Sequence, residues 1–215
     1  MRKLLIATQN KGKFREISEV FEGADIELVS LADLGISTDG VVEDGETFSE
    51  NAYKKAKFFY DKTGMLTLAE DSGIIVDALG GELGIKTRRW GLGENASDEE
   101  WVNYFLERMK EFPAEKRGAE FVCCACLIDE AGGILEYFKG ETKGRISEKL
   151  LAPILPGLPL SSCFVPDGMN KAYAEISAAE KNKISHRGKA MWKVREYLCG
   201  SGQREIISIR YPLVV

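Results

Sequence analysis

The sequence predicts an α/β fold, and three features of the chain lead to that prediction. Residues 3–21 give an apolar strand, a polar loop and a helical apolar pattern in succession. Residues 66–76 are apolar on both sides of two acidic residues, as in a buried strand. Residues 121–129 and 134–141 flank a Gly-Gly pair and predict a β-hairpin. Because this hairpin is far from the first strand–helix units, it indicates a second lobe.

The composition is that of an ordinary globular protein. The chain has 215 residues, of which 44% are hydrophobic and 29% charged, so it can form one large domain or two small lobes sharing a core. The net charge of −5 gives no bulk attraction to nucleic acid or to an anionic membrane. No apolar run reaches membrane-spanning length, and the N-terminus becomes polar too early for a signal peptide.

The five cysteines are an odd number without framework spacing, which favours a reducing compartment and predicts a cytoplasmic protein. Cys123 and Cys126 form a CxxC pattern inside a predicted strand. Residues three apart on a strand point to opposite faces, so this pair is expected to pack in the core and not to chelate a metal.

The segment TQNKGK, residues 8–13, follows the first strand and begins a helix whose apolar face holds Phe14, Ile17 and Phe21. A helix N-terminus offers free N–H groups and a positive dipole to phosphate, and the lysines add charge. The glycine spacing is not that of a P-loop. Taken alone, Asn and Gly here are also ordinary turn chemistry.

Residues 26–29 predict the next strand, and an acidic connection that includes Glu43 follows it. Thr47 and Glu50 have capping-box spacing, and a buried helical stripe then continues to Gly64. The lysines at 54, 55 and 57 lie on or beside the exposed flank of this helix, which is usually only a solvated face.

The acidic pair Glu70 and Asp71 comes inside the buried run, followed by Ser72 and Gly73. We expect a strand that delivers both carboxylates to a tight turn, which Gly73 permits. Buried carboxylates require a cationic partner, either Lys or Arg or a hard divalent metal. A strand that ends in a solvated acidic turn explains these residues equally well.

The rest of the chain adds two more capping boxes, at Ser97 and at Ser177. Residues 152–159 are rich in proline and leucine and predict a loop. His186 is the only histidine, and four basic residues surround it: Lys181, Lys183, Arg187 and Lys189. A lone histidine is usually structural, but this setting favours an anion site with a neutral, low-pKa imidazole.

Four separated segments together resemble one family. TQNKGK resembles its T-x-N-x-x-K signature, VEDGETFSENAYKKA its acidic loop and helix, AEDSGIIVDALGGELGI its D-D-S-G-L segment, and EISAAEKNKISHRGKA its C-terminal signature. The family is the inosine triphosphate pyrophosphatase group, also called Ham1 or RdgB-like non-standard purine nucleoside triphosphate pyrophosphatases. The match is collinear from Arg2 to about Leu198. We therefore expect residues 1–200 to form one two-lobed domain and residues 201–215 a strand-like tail.

The resemblance implies an elongated α/β protein, with two lobes around a curved mixed β-sheet and a central nucleotide cleft. It also implies a homodimer that hydrolyses inosine and xanthosine triphosphates, or their deoxy forms, to monophosphate and pyrophosphate with Mg²⁺. Glu43 and Asp71 would hold the metal, and Asp71 would also be the base for the attacking water. Substrate would be bound by the remaining matched residues: Thr8, Gln9, Asn10, Lys11, Gly12, Lys13, Lys55, Ser72, Lys181, His186 and Arg187.

One segment departs from the family pattern. The motif G-F-G-Y/W-D-P-I-F falls on residues 157–164, where both aromatic residues and the aspartate are replaced, with Leu158, Leu160 and Ser161 in their places. Because the family uses this segment for base recognition, we expect selectivity for deaminated purines to be reduced or lost. The alternative is that another loop supplies these contacts, for instance through Trp90. A nucleotide-binding protein without turnover and a pyrophosphatase for another nucleotide, as in the Maf-like group, are the alternatives.

Overall fold

A six-stranded mixed β-sheet is the centre of the computed structural model, which describes residues 2–93 and 95–200. The strands are β1 (Arg2–Ile6), β2 (Ile26–Ser30), β3 (Thr67–Val76), β4 (Gly118–Ile128), β5 (Ile134–Ile146) and β6 (Phe164–Pro166). Their order is β2-β1-β3-β4-β5-β6; β1 is parallel to β2 and β3, and the later pairs are antiparallel. The predicted α/β fold and hairpin are confirmed, whereas the predicted tail at 201–215 lies outside the described residues.

Within the described residues, five α-helices accompany the sheet: α1 (Lys11–Phe21), α2 (Phe48–Thr63), α3 (Asp98–Met109), α4 (Ala178–Ile184) and α5 (His186–Cys199). The capping boxes predicted at Ser97 and Ser177 are both present. Thr47 caps α2, but the Glu50 carboxylate accepts from the N–H of Glu46 at 2.7 Å, one residue before the predicted partner. None of the described helices is both long and apolar enough to cross a membrane.

The long strands carry separate cores at their two ends. Near β1, α1 and α5 cover one face of the sheet and α2 covers the other, with Ile17 and Met191 in the first cluster and Phe59 in the second. At the far end, Trp101 and Phe164 belong to a third cluster that includes Ile74 and Val76 of β3. This third core also includes Ala119 and Phe121 of β4.

The tight turn predicted after Asp71 is wrong. β3 continues through Ser72 and Gly73, which pair with Cys123 and Val122 of β4 in regular antiparallel register. Gly73 does not have positive φ. A Cβ at this position would lie 2.2 Å from the carbonyl oxygen of Gly84, so the glycine permits a close backbone approach and not a turn.

The cleft arises where β1 ends. β1 pairs with β3 only as far as Ile6 opposite Leu68, and the N–H of Ala7 then donates to the Leu68 carbonyl oxygen at 2.9 Å. Beyond this point β3 continues alongside β4 alone, while the chain from β1 turns into α1. The N-terminus of α1 is thereby placed beside the carboxylates of β3.

Candidate active site

A cleft of about 520 Å³ brings together residues from both halves of the chain. Its walls come from the N-terminus of α1, the loop before α2, the middle of β3, segment 157–161 and the α4–α5 junction. Most of the predicted site residues line it: Thr8, Gln9, Asn10, Lys13, Glu43, Lys55, Asp71, Ser72, Lys181, His186 and Arg187.

Lys11 and Gly12 lie outside the lining of the cleft. The Lys11 side chain is exposed, and Gly12 is buried against segment 156–158, where a Cβ would lie 2.7 Å from the Pro156 carbonyl oxygen. Asn10 joins the same two elements, because its Oδ1 accepts from the Lys13 N–H and its Nδ2 donates to the Gly157 carbonyl, both at 3.0 Å. The glycine thus lets α1 pack closely on segment 156–158.

Two carboxylates and one lysine meet at the α2 side of the cleft. Lys55 Nζ lies 2.8 Å from Glu43 Oε1 and donates to the Glu70 carbonyl oxygen at 3.2 Å. Asp71 Oδ2 accepts from Asn51 Nδ2 at 3.2 Å. Burial raises the pKa of Asp71, although Lys55 and Lys13 act against this rise. In the described part of the chain, no group of three or more His, Cys, Asp or Glu residues is arranged to hold a metal ion.

Sequence reasoning missed Asn51, which is fully buried within α2. Its Nδ2 contacts Asp71, and its Oδ1 accepts from the Gly45 N–H at 2.8 Å. The sequence signal for Asn51 was its position as a polar residue beside Ala52 on the buried stripe of the helix. Asn51 therefore connects the acidic loop to the carboxylate on β3.

Glu70 points away from the cleft into a buried ionic cluster. Its Oε1 lies 2.8 Å from Lys13 Nζ and 3.4 Å from Arg187 Nη2, and its Oε2 accepts from the Cys123 thiol at 3.4 Å. Burial alone would raise the pKa of Glu70, but Lys13 and Arg187 hold it well below its ordinary value. The sequence left Lys, Arg or a divalent metal open as the partner of this carboxylate, and in the structure Lys13 and Arg187 engage it.

Glu16 is a second buried carboxylate that the sequence analysis missed. It lies 2.6 Å from Lys181 Nζ and 2.5 Å from Arg187 Nη1, so it joins two predicted substrate-binding residues. It occupies the buried face of α1, four residues after Gly12 and four before Val20. A charged residue on that face was the available sequence signal, although it did not identify the partners.

The remaining wall combines cations, a hydroxyl and apolar side chains. Lys181 donates to Ser161 Oγ at 2.9 Å, and Arg187 donates to Ser72 Oγ at 2.9 Å. The His186 ring stacks on Phe121, with centroids 4.5 Å apart and planes 7° from parallel. The predicted fall in the pKa of His186 is confirmed, with burial as the largest cause and Arg187 as the next.

Comparison with known proteins decides the family. The sequence model of the Ham1 family matches residues 4–197. The chain belongs to the Ham1 family.

Ham1 relatives agree in sequence and in structure over nearly the whole chain. A dITP/XTP pyrophosphatase of Symbiobacterium thermophilum is 42% identical over 201 residues, covering 92% of this chain and 95% of that protein. One from Caldanaerobacter subterraneus subsp. tengcongensis is 39% identical over 199 residues, covering 92% and 96%. A Ham1 protein structure from Coxiella burnetii has a TM-score of 0.77 at 29% identity and covers 92% of this chain and 98% of that one. The Ham1 resemblance inferred from the four segments is therefore confirmed.

Proposed function

We propose that this Ham1 protein is a Mg²⁺-dependent pyrophosphatase that hydrolyses inosine- and xanthosine-type nucleoside triphosphates to monophosphate and pyrophosphate. The proposal rests on one cleft that brings two carboxylates, Glu43 and Asp71, together with two ammonium groups. These belong to Lys13, near the N-terminus of α1, and to Lys55 of α2. This combination matches what phosphoryl chemistry requires, namely cations for the phosphates and carboxylates for a metal and a water. The names of the relatives as dITP/XTP pyrophosphatases support the same substrate class.

The donor set fits magnesium. Glu43 and Asp71 offer hard carboxylate oxygens on the same cleft, and Mg²⁺ is commonly held by one or two carboxylates together with substrate phosphates and waters. The Lys55 ammonium already contacts Glu43, so this position favours positive charge. When bound, the metal would neutralise phosphate charge and orient the triphosphate.

The residues of the chain divide the chemistry between them. The ammonium of Lys13, at the start of α1, holds the phosphates, and Lys55 adds charge beside them. The Asp71 carboxylate takes a proton from water as the water oxygen bonds to the α-phosphorus. The bond from that phosphorus to the bridging oxygen breaks, and pyrophosphate leaves with the electron pair.

Asp71→Asn tests the proposal. The variant cannot accept the proton and is a poorer metal ligand, so turnover should fall by more than the ~10²–10⁴ of general base catalysis alone. Pyrophosphate release from inosine triphosphate with Mg²⁺ is the assay, and circular dichroism verifies the fold. Asp61→Asn is the matched control, because Asp61 is a surface carboxylate on α2 that pairs with Lys57. Retention of more than about a tenth of wild-type activity would rule out a general base at Asp71.

A binding protein without turnover is the second candidate, because the base segment 157–161 departs from the family pattern. It predicts nucleotide binding by calorimetry with no pyrophosphate release from any triphosphate. We also propose one two-lobed domain, a homodimer and a cytoplasmic location, which rest on the family resemblance and the free cysteines. Light scattering of the purified protein tests the dimer, and fractionation tests the location.

A further inference from the structure

One end of the cleft, which we call the base end, is rich in hydrogen-bond donors. It consists of Leu158, Leu160, Ser161, Lys181 and Arg187, all of which line the cleft. An ammonium group has three N–H donors. Lys181 directs two of them at Glu16 and Ser161, which leaves a third for a ligand. Because Ser161 Oγ accepts from this ammonium, its own hydrogen is directed away and is free to donate.

Arg187 adds positive charge at the same end. Its Nη1 engages Glu16 and its Nη2 engages Ser72 and Glu70. Its buried Nε has no hydrogen-bond partner within residues 2–93 and 95–200. A guanidinium has no acceptor atom, so Arg187 can only donate.

Two buried carboxylates lie behind these cations. Glu16 and Glu70 are only 5% and 4% exposed, and neither lines the cleft. Each is held by two cations, through Lys181 and Arg187 for Glu16 and through Lys13 and Arg187 for Glu70. Apart from Asp98, which also lines the cleft, a base entering this end meets positive charge and N–H groups before it meets these carboxylates.

We infer that the base end recognises carbonyl oxygens on the base and does not select the purine ring as such. Resting on the proposed pyrophosphatase function, this extends the substrate class to oxo bases in general, with uracil nucleotides beside hypoxanthine and xanthine nucleotides. The amino groups of adenine and cytosine would place N–H donors against Lys181 and Ser161. Aliphatic Leu158 and Leu160 provide no aromatic ring for stacking, which weakens the advantage of a larger purine.

Two matched pairs of triphosphates test this inference, since the members of each pair differ at one oxo or amino position and at the adjacent ring nitrogen, which carries a hydrogen only in the oxo base. The pairs are inosine with adenosine and uridine with cytidine, and kcat/KM is measured by pyrophosphate release. One charge-assisted hydrogen bond corresponds to about ten- to a hundredfold in affinity. We expect the oxo member to be favoured by about that factor in both pairs.

Two results overturn the inference while leaving the pyrophosphatase function intact. One is a uridine-to-cytidine ratio near unity, and the other is uridine triphosphate hydrolysed more than about a thousandfold less efficiently than inosine triphosphate. No release from any of the four substrates overturns the proposed function and this inference with it.

Amino-acid substitutions test which side chains distinguish oxo from amino bases. Lys181→Met should bring both oxo-to-amino ratios towards unity. If this variant fails to fold, Ser161→Ala provides the test, and it should lower both ratios by a smaller factor. Lys183→Met is the matched control, because Lys183 lies exposed on the same helix and outside this cleft; both ratios should stay at the wild-type value. Unchanged ratios in folded Lys181→Met would overturn the inference.

Asp98 is the competing acceptor at this end. It lines the cleft, and its Oδ2 accepts from the Gly157 N–H at 2.6 Å. Asp98→Asn retains an acceptor for that N–H but removes the carboxylate charge. We expect the inosine-to-adenosine ratio to change by less than about threefold; a change of tenfold or more would show that Asp98 recognises a base N–H, against the inference.

Discussion

Glu16→Gln tests whether the buried carboxylate on α1 holds the α4–α5 cations in place. The substitution keeps the shape of the side chain but removes the charge that faces Lys181 at 2.6 Å and Arg187 at 2.5 Å. In this variant Arg187 keeps its contacts with Glu70 and Ser72, whereas Lys181 keeps its hydrogen bond to the neutral Ser161 hydroxyl. The change therefore leaves a buried ammonium without its carboxylate.

Removal of one partner from a buried ion pair typically costs about 3–5 kcal/mol. Urea slopes for proteins are about 1–3 kcal/mol per molar, so we expect the unfolding midpoint to fall by about 2 M at pH ~7. Glu19→Gln is the matched control, because Glu19 lies on the same helix, is only half-buried and accepts from Asn182 Nδ2 at 2.9 Å. It should cost less than about 1.5 kcal/mol, the usual contribution of one hydrogen bond.

The pH dependence gives an independent check on Glu16. Burial alone would raise its pKa, but Arg187 and Lys181 outweigh burial and hold the pKa below its ordinary 4.5. A lowered folded-state pKa contributes stability above the unfolded value, and that stability is lost as the pH falls through the folded value. The difference between wild type and Glu16→Gln should be full at neutral pH and shrink in acid below pH 4.5. A midpoint shift below about 0.5 M at neutral pH, or one that does not change in acid, would refute this reasoning.

Two further substitutions test the phosphate end and the backbone approach at β3. Lys13→Ala should raise KM by about ten- to a hundredfold and equally for every base, because one charge-assisted contact is lost; a loss confined to one base would place Lys13 at the wrong end of the substrate. Gly73→Ala should destabilise the fold by about 1–3 kcal/mol or more, since its Cβ would lie 2.2 Å from the Gly84 carbonyl oxygen. Thermal unfolding measures this, with Gly133→Ala as control because its nearest neighbour would be 3.6 Å away; equal midpoints for the two variants would contradict the close approach.

The sequence by itself determined the local structure and most of the cleft. Helix starts were predicted from Ser97 and Ser177, because capping depends on residues three apart in the chain. The α/β class followed from apolar periodicity, which depends on neighbouring residues in the same way. The family segments predicted Asp71, Lys13 and other residues that the fold brings to one cleft.

The tertiary structure alone decided which charged groups face the cleft and which lie behind it. Glu70 and Asp71 are adjacent in sequence, but successive strand residues face opposite sides of a sheet, so one enters the ionic cluster and the other the cleft. Glu16 meets Arg187 across 171 residues of chain, a pairing that no local pattern indicates. The tight turn expected at Gly73 also failed for this reason, because the need for glycine comes from Gly84, which packs against it in three dimensions.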